Sequence, residues 1–323
     1  MIARVRQLAP AVDGARAAIE SAGERHGPAA DEDARFELFH AAGSICSQKV
    51  RAVLIHHRIP WISHELNMFL GQTYLPGYVR LRMLGCARYG GALVSRHSGS
   101  TSAGAGGCDG AVVPTLVDWE AEEVVVDSRR ICIYLDEQIA ERERLRPADR
   151  AVAIDGDLEV IDNLPNYQML MGRTVSGTES ATTRSGVGAS FSERKVAWCS
   201  RYLEENGDDP VLAAAYTAKR AKELSAANEL FTPEAMAAAY GRAEAALVEL
   251  DRKLGARGTH WLHGDRLSMA DLFWGIELLR MRNTGVARFW EKGRLPKVER
   301  FSAETEKIPA IRAAIIDWPG AIF

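Results

Sequence analysis

Two hydroxyls flank a single thiol in Ser44-Ile45-Cys46-Ser47. With Ser44 as the N-cap of a helix, Cys46 falls in the first turn, where unpaired backbone N–H groups and the helix dipole favour an anion. A thiol so placed ionises more readily than an ordinary one and becomes a nucleophile near neutral pH. The hydroxyls of Ser44 and Ser47 can donate to a second sulfur bound close by. The same tetrapeptide also suits a plain cap followed by a small buried cysteine, so its meaning depends on its company.

Two further groups supply that company. In Val113-Pro114-Thr115-Leu116 a proline opens a strand, a place where proline is tolerated. A cis bond there turns the backbone N–H and C=O of Val113 outward, ready to pair with an extended peptide. Asp127-Ser128 starts a helix; beyond capping, a helix N-terminus with a hydroxyl captures a carboxylate, and the acid can receive an amino group. A ligand carrying ammonium and carboxylate on one carbon suits that place.

The elements that must position these groups follow from periodicity. Residues 35–40 alternate as a half-buried strand, and from Ser44 the apolar residues Val50, Val53 and Leu54 recur at helical spacing. Residues 61–69 alternate again, giving a strand–helix–strand unit whose strands run parallel. Residues 73–86 have helical spacing, weakened at the start by Pro76 and Gly77. A Gly/Ser-rich loop is expected over 98–110. Strands follow at 111–117 and 123–126 with hairpin spacing, then a helix over 128–139. After a charged linker at 141–150 the composition turns helical, with helices expected over 155–172, 191–206, 209–228, 232–254, 268–284 and 309–316. Residues 1–34 read as an amphipathic or frayed extension.

Bulk properties narrow the classes. A chain of 323 residues with 47% hydrophobic content can bury two ordinary cores. With a net charge of −3 and its basic residues scattered, it lacks the concentrated basic face that nucleic acid requires. No apolar run reaches membrane-spanning length, and no secretory signal opens the chain. Five widely spaced cysteines without a secretion signal fit a reducing cytoplasm. Cys86, Cys108, Cys132 and Cys199 read as buried fillers. The spacing of Cys and His offers no zinc site, so no metal is expected.

Taken in order, strand, S-x-C-S at a helix start, strand, V-P-T-L, strand and D-S-x-x-I at a helix start resemble the glutathione-binding domain of the glutathione transferase superfamily, over about residues 35–137. The resemblance implies an α/β thioredoxin-like N-terminal domain at 35–140 and an all-α C-terminal substrate domain at 150–323. It also implies a cis Val113-Pro114 bond that serves the cysteinyl backbone of glutathione, and a γ-glutamyl site at Asp127 and Ser128. Ser268-Met269-Ala270-Asp271 resembles the family's buried capping box, a structural device. Ser44 with Cys46, within FELFHAAGSICSQKVR, is most similar to the glutathione-dependent reductive dehalogenases of chlorinated hydroquinones.

That likeness implies glutathione as co-substrate, a small aromatic substrate, a homodimer or heterodimer, and a cysteine–glutathione mixed disulfide on Cys46. Glutathione-dependent β-aryl ether cleavage, another aromatic glutathione transferase or isomerase, and a non-catalytic subunit remain open beside it. The span from about 70 to 112 is twice the expected length, so it reads as a lid or a dimer contact. Its Gly104–Gly107 run lacks the ending of a phosphate loop. Aromatic and Met side chains at 163–173 and 198–202 read as core.

Overall fold

The computed structural model describes residues 7–28, 34–100, 107–172, 182–256 and 258–322; the Gly104–Gly106 part of the glycine run lies outside them. In chain order, α1 (Ala9–Ala18) and β1 (Glu24–His26) precede β2 (Phe36–His40), α2 (Ile45–His56) and β3 (Trp61–Glu65). Then come α3 (Pro76–Arg88), the short strands β4 (Ala92–Leu93) and β5 (Gly107–Cys108), β6 (Thr115–Asp118), β7 (Glu123–Val126) and α4 (Ser128–Glu137). The second half contributes α5 (Ala151–Asp162), α6 (Asn166–Met171), α7 (Thr182–Glu205) and α8 (Pro210–Glu229). It closes with α9 (Pro233–Ala256), α10 (Met269–Asn283), α11 (Pro296–Thr305) and α12 (Pro309–Ile311).

The five-stranded sheet has the order β1-β3-β2-β6-β7. Because α2 carries the chain across one face, β2 and β3 pair in parallel, while β6 runs antiparallel to both β2 and β7. Alternate residues serve opposite faces. Phe36 and Leu38 join a core with Val50, Leu54, Ile131 and Leu135 of α2 and α4, and this core continues into α10. Phe39 packs on the other side with Tyr78 and Leu81 of α3. The architecture is an α/β sheet domain followed by a helical one.

The segment before residue 35, read as an amphipathic or frayed extension, is in part a folded layer. Strand β1 adds to the sheet edge against β3, and α1 lies on α3 where Gly77 lets the backbones meet; a Cβ there would stand 2.4 Å from the Gly14 carbonyl oxygen. Arg16 of α1 reaches the buried Glu37 of β2, its Nε 3.1 Å from Oε2. Burial works against that carboxylate, but hydrogen bonds from His64, Arg16 and Trp119 hold its pKa below the usual range.

Several expected boundaries shift for local reasons. The strand from Trp61 stops at Glu65, because the Asn67 side chain accepts from the N–H groups of Phe69 and Leu70 and starts a 3₁₀ turn. Strand β6 begins at Thr115 rather than 111, since Pro114 has no N–H for a ladder. The helix expected over 155–172 starts at Ala151 and divides into α5 and α6 around Leu164-Pro165. The last helix covers Pro309–Ile311 and widens into a π-turn over Arg312–Ile316, and α11 was not foreseen. Ser268 and Asp271 form the reciprocal cap of α10.

Candidate active site

Ser44 is half-buried, with extended backbone angles (φ −75°, ψ 120°), and its Oγ accepts from the Ser47 N–H at 3.3 Å. That leaves the Ser44 O–H free to donate elsewhere. Cys46 is the second residue of α2, within its first turn, and is 6% exposed. Three long side chains tie down the turn before it. Arg51 donates to the carbonyls of Ala41 and Ala42 at 3.2 and 2.9 Å, and to Ala314 near the C-terminus. Arg280 of α10 donates to Gly43 O at 2.7 Å and to Gln48, which itself donates to Ala321 O. Below the cysteine, the buried Lys49 stands 3.0 Å from Glu277 and 3.6 Å from Asp162. Burial pushes the Asp162 carboxyl up to about 6.

A cavity of about 150 Å³ opens in front of this turn, lined by Gly43 through Cys46 and by Val113. The long span after β3 supplies His97, Ser100 and Ala111–Val113 to its wall. Helix α3 anchors that span: Tyr78 donates to Val112 O at 2.6 Å and Arg82 to the carbonyl of Asp109. The Val113-Pro114 bond is cis. Val113 has no hydrogen-bond partner on either backbone polar atom among the described residues, whereas the Pro114 carbonyl is taken by Arg82.

The structure brings Ser44, Cys46 and Val113 to one cavity; Pro114, Asp127 and Ser128 do not line it. Asp127 adopts φ +76° and ψ 127°, a conformation costing of the order of 1–3 kcal/mol for a residue with a side chain. Its carboxylate accepts from the Arg129 N–H at 3.1 Å. Beside it, Ser128 is 2% exposed and its Oγ has no hydrogen-bond partner among the described residues. A buried orphan hydroxyl at a helix N-terminus fits a carboxylate ligand.

Other residues of the cavity were missed by sequence reasoning. Leu164 and Met169 pack in the core as read, while Tyr167, Leu170 and Met171 of the same segment also line the cavity; residue 173 lies outside the described residues. Tyr202 does lie in the core. Lys195, Lys219, Lys222 and Glu223 also face the cavity. Lys219 and Lys222 both bond to one oxygen of Asp109, at 2.8 and 2.9 Å. Lys219 and Lys195 lie 2.9 and 3.1 Å from Glu223. The signal was present: in α8 the buried stripe Leu212, Ala215, Tyr216 continues at the same spacing through Lys219, Lys222, Glu223 and Ala226. Charges in the middle of an apolar stripe are buried charges.

Among the described residues no cluster of His, Cys, Asp or Glu could hold a metal, and no helix is long and apolar enough to cross a membrane.

Fold and site together define a class. Residues 43–138 match the family described as Glutathione S-transferase, N-terminal domain, and residues 233–304 match Glutathione S-transferase, C-terminal domain. The chain belongs to the glutathione S-transferase family of enzymes. It is 36% identical over 289 residues to proteins named 2,5-dichlorohydroquinone reductive dechlorinase from two strains of Sphingobium indicum, covering 88% of this chain and 84% of theirs. Among solved structures, the fold resembles glutathione transferase URE2P8 from Phanerochaete chrysosporium with oxidized glutathione, at 14% identity and a TM-score of 0.53, covering 88% of this chain and 95% of that one. It also resembles poplar glutathione transferase F1, at 15% identity and a TM-score of 0.52, covering 87% and 97%.

Proposed function

We propose that the protein is a glutathione-dependent reductive dehalogenase of a chlorinated hydroquinone. The observation that carries this reading is that Ser44 and Cys46 share one cavity with the aromatic and apolar side chains Tyr167, Phe191, Leu170 and Met171. The 36% identity to a 2,5-dichlorohydroquinone reductive dechlorinase agrees with it.

Glutathione is the co-substrate in this reading. The orphan Ser128 hydroxyl, the first N–H groups of α4 and the Asp127 carboxylate hold its γ-glutamyl end. The unpaired backbone of Val113, held by Pro114, takes its cysteinyl amide. Ser44 donates its free O–H to the glutathione thiolate. That thiolate forms a C–S bond at the chlorinated carbon, and chloride leaves with the pair of the C–Cl bond. The Cys46 thiolate then attacks the sulfur of the conjugate: an S–S bond forms, the aryl C–S bond breaks, and the aryl carbon keeps the electron pair and takes a proton. A second glutathione thiolate resolves the mixed disulfide as oxidised glutathione and restores Cys46. Two glutathiones supply the two electrons that replace chlorine with hydrogen.

The same reading makes the protein a cytoplasmic dimer; its five cysteines, none in a disulfide, suit a reducing compartment. Intact-mass spectrometry after incubation with glutathione and dichlorohydroquinone, with chloride followed in parallel, tests the chemistry. The wild type is expected to release chloride and carry glutathione on Cys46, and Cys46→Ser to accumulate a soluble glutathionyl hydroquinone. No chloride and no adduct would overturn the dehalogenase reading in favour of ether cleavage or a binding subunit.

A further inference from the structure

Among the described residues, the lysines of the cavity outnumber the carboxylates that meet them. Lys195 of α7 and Lys219 and Lys222 of α8 face Glu223 and, from the span before β6, Asp109. Among the described residues these three cations meet two anions, and both lysines nearest Asp109 share the single oxygen Oδ2. His97 does not offset or extend this charge, because burial drives its pKa well below the ordinary value and leaves it neutral. The lysine side chains are 13%, 3% and 8% exposed, so bulk water screens them little. An uncompensated cation so far from water is costly unless an anion comes to it.

Resting on the dehalogenase reading, we propose that Lys195, Lys219 and Lys222 make the site specific for the anionic form of its aromatic substrate, a hydroquinone bound as the phenolate. The phenol proton leaves to solvent on binding, and the ring oxygen takes the place of the missing third carboxylate. An oxyanion in this cavity could equally be the glycine carboxylate of glutathione. The lysines favour the ring, because Lys195 Nζ lies over the Tyr167 and Phe191 rings at 4.5 and 4.8 Å, among the cavity's apolar side chains. Lys219 likewise lies 5.7 Å from the centre of the Tyr74 ring.

4-Nitrophenol reports the protonation state directly, because its anion is yellow and its neutral form is not. The full-length protein is titrated with it at a pH where the unbound probe is neutral. The bound probe is expected to show the phenolate band. Lys195→Met and Lys222→Met should each weaken its binding by about tenfold, the loss of one charge-assisted hydrogen bond. Glu223→Gln removes a negative charge and should tighten it, an opposite shift that general destabilisation would not produce. Glutathione affinity, measured in parallel, should stay within about twofold in the lysine variants. A bound probe with the neutral spectrum, or lysine variants that weaken glutathione and spare the probe, would overturn the proposal. Chloride release by the wild type is scored separately, so failure of the dehalogenase reading is distinguished from failure of anion selection.

Discussion

Arg280 Nη2 on α10 donates to the carbonyl oxygen of Gly43 at 2.7 Å, joining the helical half of the molecule to the turn one residue ahead of Ser44. The turn before Ser44 is thus held by a residue more than two hundred positions away in the chain. Arg280→Met leaves that carbonyl and the Gln48 side chain without this donor, which costs about 1–3 kcal/mol. Because a shift of an ångström at a reacting group is worth up to a hundredfold, kcat/KM should fall by about 10–100-fold. Steady-state kinetics with thermal unfolding check this; unchanged kinetics would remove the positioning role.

Ser44→Ala and Cys46→Ser should separate the two halves of the proposed reaction. Ser44→Ala removes the N-cap of α2 and should cost about 1 kcal/mol in stability. It should slow the chloride-releasing step, whereas Cys46→Ser should release chloride and stall afterwards. Single-turnover chloride and conjugate measurements read both, and a mutant that stalls at the other step contradicts the assignment.

Ser128→Ala should raise stability and lower affinity at once. The buried Oγ lacks a partner among the described residues, so deleting it relieves a desolvation cost of about 1–3 kcal/mol. The same deletion removes the proposed donor for the γ-glutamyl carboxylate, and glutathione binding should weaken by about tenfold. Calorimetric titration together with melting curves tests this pairing; a loss of stability with unchanged affinity would place Ser128 in the scaffold alone.

The lysine cluster should make the protein acid-sensitive through Glu223. Burial alone would raise its pKa, but Lys195, Lys219 and Lys222 bring it down to about 2 from an ordinary 4.5. A carboxylate depressed in the folded state stabilises above its unfolded pKa. That contribution is lost as pH falls from 4.5 through about 2, and amounts to about 3 kcal/mol. In Glu223→Gln the acid-dependent loss, read from urea midpoints across this range, should be smaller by about that amount.

Asp109→Asn should be among the most destabilising single changes in the chain. It strips Lys219 and Lys222 of their shared carboxylate in a buried setting, a loss of about 3–5 kcal/mol. Urea unfolding measures it, and a change under about 1 kcal/mol would show that solvent relieves the lysines.

How much of this was legible in the sequence differs from residue to residue. Ser44, Cys46 and the strands around them could be read because local rules govern them: a cap precedes a helix, and a period of two or 3.6 marks an element. The same holds for the reciprocal cap of Ser268 and Asp271, which needs only three residues of spacing. Boundaries failed where a side chain such as Asn67 competed for the backbone, a contest that periodicity does not register.

The charge of the cavity was decided by tertiary structure alone. The apolar stripe of α8 marks Lys219 and Lys222 as buried, but nothing near them names Asp109, which arrives from a segment about 110 residues earlier in the chain. Likewise, nothing near Gly43 names Arg280 as its partner, and nothing near Glu37 shows that Arg16 will fold back to reach it. Local sequence determined which backbone groups and side chains were available for chemistry. Long-range packing decided which of them left water together, and burial is what turns scattered charges into a site.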